Sequence, residues 1–122
     1  MNAASVLSQL KSPIGKLAAR TAAELLLASP EVDNPKFLRA FTTFDTIIQL
    51  HASLSKLGLE SKARTFILEP MVEVLRVQIR EAVPVDQVAE DSAAYTCFIV
   101  AMSGLKQDEV KALREKAEAL QD

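Results

Sequence analysis

Hydrophobic positions recur along the chain at helical steps of three and four, and prolines, glycines and capping residues divide them into five segments. Ser12-Pro13 sets a capping hydroxyl before a proline at a first helical position. Ile14, Leu17 and Ala18 then share one side, which predicts a helix over 13–28. Upstream, Val6, Leu7 and Leu10 keep a similar spacing, and residues 3–11 read either as a separate short helix or as the front of a longer kinked one. After the turn cluster Ser29-Pro30-Glu31-Val32-Asp33, the pair Asn34-Pro35 repeats the start signal and opens a helix over 35–57 that stops at Gly58. Phe37, Phe41, Phe44, Ile48 and His51 form one stripe on it, and Ile47, Leu50, Leu54 and Leu57 form a second beside the first.

The third helix begins after Leu59 and continues to about Ala82, with Pro70 inside it removing a backbone donor and predicting a kink near Phe66-Ile67. Lys62, Thr65, Glu69, Glu73, Arg76 and Arg80 keep to a narrow strip of this helix, and almost every other direction is apolar. Such a helix must be covered on most sides, by the rest of the chain or by a partner. Four of the six aromatic residues lie in the second and third helices, Phe66 among them, which puts the expected centre of the core there.

Val83-Pro84-Val85-Asp86 closes that segment and caps a fourth helix over 86–103. Its apolar stripe is Val88, Tyr95, Phe98, Ile99 and Met102, and its opposite side is the small set Ala93, Ala94, Cys97 and Ala101. Gly104 ends it. The last helix, 106–121, differs in kind, since Val110, Leu113, Ala117 and Leu120 make a narrow seam in a field of Lys, Arg, Asp and Glu. Gly58-Leu59 and Gly104-Leu105 each join two helices and are read as glycine C-caps followed by a hydrophobic contact. The expected fold is therefore all-α, a compact antiparallel bundle of four to five helices without strands. It fills one domain over 1–122, with 105–122 as a C-terminal helix that could stand semi-independently.

Composition narrows the classes of protein compatible with that fold. In 122 residues, 49% are hydrophobic and 25% charged, and the formal net charge is −2, which is too apolar and too nearly neutral for intrinsic disorder. One cysteine excludes an internal disulfide framework, and with one histidine it cannot furnish a four-coordinate structural zinc site. The longest apolar run, Ala93 to Met102, is half the roughly 20 residues that span a bilayer, so no transmembrane segment is expected and cytoplasm is the default compartment.

Candidate chemistry is sparse. No Glu stands three residues before His51, so the bundle di-iron pattern is absent, and the glycines at 15, 58 and 104 make no phosphate loop. Three Ser-x-x-Lys tetrads, at Ser8, Ser53 and Ser103, lack the companion motifs of Ser-Lys acyl enzymes and read as coincidence. His51 is expected in the core as a packing residue and Cys97 as a buried thiol. Asp91 stands within the apolar stripe of the fourth helix, where the helix dipole accounts for it. The only place left for catalysis is a cleft near Pro70 with Glu69 and His51, and the expectation is that the protein is not an enzyme and uses no cofactor or metal.

Charge is uneven along the chain. Residues 1–23 carry Lys11, Lys16 and Arg20 and no acid, and the rest holds eleven bases against sixteen acids. Two functions follow. The first is a small interaction protein, an adaptor, regulator or small subunit of a larger assembly, presenting hydrophobic helix faces to a protein partner or to a second copy of itself. Its contact residues would be Val110, Leu113, Ala117 and Leu120. The second is an accessory subunit of a nucleoprotein complex, holding nucleic-acid backbone non-specifically through Lys11, Lys16, Arg20, Lys36 and Arg39. With a single Tyr and no Trp there is no base-stacking platform.

Overall fold

The computed structural model describes the backbone of residues 12–82 and 88–120 and the side chains of 12–82 and 94–120. Among the described residues five α-helices follow in order: α1 (Pro13–Leu27), α2 (Pro35–Lys56), α3 (Ser61–Ala82), α4 (Val88–Ser103) and α5 (Gln107–Ala119). A 3-10 turn, Pro30–Asp33, joins α1 to α2, and no strand occurs among the described residues. The all-α bundle read from the sequence is the observed architecture. The segment 3–11, the start of the fourth helix at 86 and the side chain of Asp91 lie outside the described residues.

The helix ends follow from their capping chemistry. Ser12 Oγ accepts the Gly15 N–H (3.1 Å) and Asn34 Oδ1 accepts the Lys36 N–H (2.9 Å), each just before a proline that needs no partner for its nitrogen. At the far end of α2, Gly58 takes φ +77°. The Leu59 N–H reaches the Leu54 carbonyl (3.3 Å) and the Gly58 N–H reaches that of Ser55 (3.0 Å), the two bonds of a Schellman motif. That left-handed turn folds α3 back antiparallel along α2. Gly104 has a different reason to be glycine. A Cβ there would stand 2.0 Å from the Ala19 carbonyl oxygen, so this residue is set by the close crossing of α1 and not by a positive φ, which among the described residues only Gly58 has.

α2 is the centre of the assembly, packing along α3, against α5 and onto the 3-10 turn, while α4 packs along α1 and against α3. Phe98 of α4 joins the two halves. Its ring centroid lies 5.7 Å from that of Phe37 in a tilted pair and 6.1 Å from that of Phe44 at an interplanar angle of 81°, the edge-to-face arrangement that aromatic quadrupoles favour. Phe41, Leu75, Ile79 and Leu113 are the large side chains most completely buried in the surrounding core.

Three expectations about the core change. Its aromatic centre is between α2 and α4, and Phe66 of α3 is 79% exposed. His51 is on the surface, because the buried face of α2 rotates along its length: Phe37 and Phe41 are buried in the first half, Ile47 and Leu54 in the second, which leaves Ile48 and His51 outside. Cys97 is exposed as well, lying just off the arc on which Phe98, Ile99, Ala101 and Met102 are buried.

Candidate interaction surfaces

α5 carries the residues expected to meet a partner, and the structure turns most of them inward. Leu113 is 1% exposed and belongs to the core, and Val110 and Ala117 are half-buried against it. Leu120 alone of the seam is exposed, at 49%, on the rim of a groove of about 440 Å³ that it shares with Ala117, Arg39 and Gln78. The expected contact set is corrected accordingly. The two-residue-per-heptad seam is narrow because α5 covers only one side of α2, and its polar residues clamp the edges of that contact.

Three ion pairs make the clamp. Arg114 grips Asp45 of α2 with two bonds, Nε to Oδ2 at 2.6 Å and Nη2 to Oδ1 at 2.8 Å, and Lys116 Nζ reaches Asp33 of the 3-10 turn at 2.7 Å. Arg20 of α1 holds Glu109 through both terminal nitrogens, at 2.5 and 2.9 Å, and also donates to the Gly104 carbonyl (3.0 Å) and to Glu24 (3.1 Å). Glu109 Oε1 in turn accepts the Lys106 N–H (2.8 Å), the half of a capping box that a lysine at the N-cap permits, since its ammonium cannot accept. The Arg20 guanidinium, with the Lys106 amide, holds the Glu109 carboxyl down at about 2, and the same contact pushes the Arg20 pKa up. Asp45 likewise raises the pKa of Arg114.

This network decides where the N-terminal bases stand. Arg20 has its donors taken up within the protein, Lys16, Lys36 and Arg39 are exposed, and Lys11 lies outside the described residues. Lys36 and Arg39 are on α2 and Lys16 is on α1, two helices that do not pack along one another. Glu69, Pro70 and His51 are all exposed. Among the described residues no three His, Cys, Asp or Glu side chains are placed to hold a metal ion, and no helix is long and apolar enough to cross a membrane.

Exposed apolar surface is concentrated on α1 and α3. α1 is oriented against side-chain size: it buries Ala19 and Ala23, while Ile14 (82%), Leu17 (69%) and Leu25 (70%) face outward with Ala18 and Thr21. The close crossing at Gly104 explains the choice of inner face, because only alanines let the α1 backbone come that near. The acids and bases of α1 sit at its edges, where Arg20 and Glu24 pair with each other. On α3, Ile67, Pro70, Val74 and Val77 run along the outer face beside Phe66. Neither surface was read from the sequence as the outer one, although the nearly all-round apolarity of the third helix signalled that something must cover it.

No family model, curated protein or solved structure matches the chain.

Proposed function

We propose that this is a non-enzymatic helical interaction protein, an adaptor, regulator or small subunit of a larger assembly, which binds a protein partner or a second copy of itself through outward apolar helix faces. The orientation of α1 carries this reading. An amphipathic helix ordinarily turns its large apolar side chains to the core, yet this one buries its alanines and leaves Ile14, Leu17 and Leu25 in water. Three large side chains exposed on one face are the mark of a contact surface rather than of scattered surface residues. The ion pairs support it by holding the frame: α5 is fixed to α1, α2 and the 3-10 turn, so both outer faces are carried on a braced bundle.

The test is a photoreactive benzophenone amino acid placed at Thr21, in the middle of the α1 face, and irradiated in the cells that make the protein. A discrete cross-linked species is expected. It should disappear when Leu17→Glu and Leu25→Glu are added, with the urea midpoint unchanged, because both side chains are already exposed. No discrete species from this position would count against the α1 face as a contact surface.

A further inference from the structure

We infer that the groove between α3 and α5 is a binding site for the C-terminal tail of another protein, one that ends in an apolar residue and is held by its free α-carboxylate. The site uses neither of the outer faces described above and goes beyond the interaction reading built on them.

α3 and α5 both pack on α2 and leave a groove of about 440 Å³ between them, within the roughly 300–1,000 Å³ typical of ligand sites. Leu38 is its buried floor, and Ala117 and Leu120 of α5 extend that apolar surface to the rim. The α2 residues along the groove run from Pro35 to Thr43, about 12 Å at 1.5 Å per residue. That is the length of about three residues of extended chain at 3.3 Å each.

The polar groups of the groove select the occupant. Arg39 lines it, is exposed, and its guanidinium makes no hydrogen bond or ion pair among the described residues. The nearby charges are otherwise engaged or outside: Lys116 is paired with Asp33 and Arg114 with Asp45, and Glu81, three residues beyond Gln78, does not line the groove. One unpaired guanidinium therefore asks for one anion, and its fork matches a carboxylate. On the α3 wall, Gln78 Oε1 is buried without a hydrogen-bond partner among the described residues. Such an oxygen needs a donor, and the soft terminal torsion of glutamine lets it turn into the groove to meet one. Thr42 and Thr43 cannot be that donor or serve an anion, because their hydroxyls already donate to the Leu38 carbonyl (2.9 Å) and the Arg39 carbonyl (3.2 Å).

A chain terminus brings all three features together: a carboxylate for Arg39, the N–H of its last residue for Gln78 Oε1, and an apolar side chain for Leu38 and Leu120. Other occupants lack one of them. A fatty acid has no N–H for Gln78, an internal peptide segment has no carboxylate on its backbone for Arg39, and a nucleic-acid backbone has no apolar group for the floor.

The experiment is an array of short peptides held by their N-termini and randomised over the last three residues, each present with a free carboxylate and as the C-terminal amide. The full chain is applied at up to about 100 μM, a concentration that populates complexes of micromolar affinity. Binding is expected to peptides with a free carboxylate that end in Leu, Ile, Val, Met or Phe, and to none of the amides. The strongest peptide is then measured in solution by fluorescence polarisation. Arg39→Gln should weaken it at least about tenfold, the effect of one lost charged hydrogen bond. Gln78→Leu should weaken it about three- to tenfold, the effect of one neutral bond, with a urea midpoint no lower than that of the wild type because the orphaned oxygen is gone. No binder among the free carboxylates, equal binding to the amides, indifference to the terminal side chain, or affinity unchanged in either variant would each overturn the proposal. Dodecanoate bound more tightly than the best peptide, and equally by wild type and Gln78→Leu, would overturn it in favour of a free fatty acid. The cross-link from position 21 reads the α1 face separately, so either result can fail without the other.

Discussion

Truncating Leu113 to alanine separates a helix that belongs to the core from one that waits for a partner. Leu113 is 1% exposed and sits where α5 lies on α2. The substitution removes the equivalent of about three buried methylene groups at about 0.8 kcal/mol each, and the cavity left behind adds about 24 cal/mol per Å³ wherever the surroundings do not collapse. The expected loss is about 3–5 kcal/mol, a large part of the roughly 5–15 kcal/mol that holds a domain folded. Urea unfolding followed by circular dichroism measures it. With a slope of about 1–3 kcal/mol per molar urea, the midpoint should fall by at least about 1 M. A fall below about 0.3 M would mean that Leu113 is not enclosed, and the assignment of α5 to the core would fail. By the same reasoning, deleting residues 105–122 should unfold the bundle instead of leaving a stable remainder, since Glu109, Arg114 and Lys116 are lost with the seam.

Other consequences are equally direct. Gly104→Ala brings a Cβ to 2.0 Å from the Ala19 carbonyl oxygen, so α1 must move outward. The cost should be about 1–3 kcal/mol and the melting temperature should fall by roughly 4–12 °C; an unchanged melting curve would contradict the close crossing. Because Arg20 holds the Glu109 carboxyl at about 2, below its ordinary value of 4.5, the stability from that contact is complete above pH 4.5 and is lost as pH falls toward about 2. Glu109→Gln should therefore flatten the urea midpoint between these two pH values, and an equally steep acid dependence in the variant would show that other carboxylates control it. Cys97 should react with a soluble disulfide reagent in the folded protein about as fast as in the urea-unfolded chain, and Cys97→Ser should change stability by less than about 0.5 kcal/mol. A thiol protected until unfolding would contradict its exposure.

The punctuation of the fold was legible because it is local chemistry. Ser12-Pro13, Asn34-Pro35 and Gly58 each satisfy or remove a backbone group within a few residues of themselves, and each helix end appears where those signals stand. The direction each helix faces was less legible, because it depends on what lies opposite. The α1 sequence offers Ile14, Leu17 and Ala18 as one side of the helix, but Gly104, just past the end of α4, stands at the crossing and takes alanines instead. The long stripe of α2 predicts a buried His51, yet the buried face turns from Phe37 and Phe41 to Ile47 and Leu54 in the second half of the helix and leaves His51 outside. In α5 the seam was visible and its charges were too, but the partners Arg20, Asp33 and Asp45 lie 69 or more residues away, and no local pattern announces such pairs. Gly104 looked like a second C-cap for the same reason, since a helix contact 84 residues distant leaves no trace near it.

Which apolar side chains meet water is the claim on which the rest depends, and methyl NMR with a soluble paramagnetic probe measures it most directly. In dilute protein the methyl signals of Ile14, Leu17 and Leu25 on α1, and of Ile67, Val74 and Val77 on α3, should broaden strongly, while those of Leu38, Leu75, Ile79 and Leu113 stay sharp. Broadening of Leu113 together with protection of Ile14 and Leu25 in dilute solution would contradict the account, because α1 and α5 would then have exchanged their roles as outer face and core.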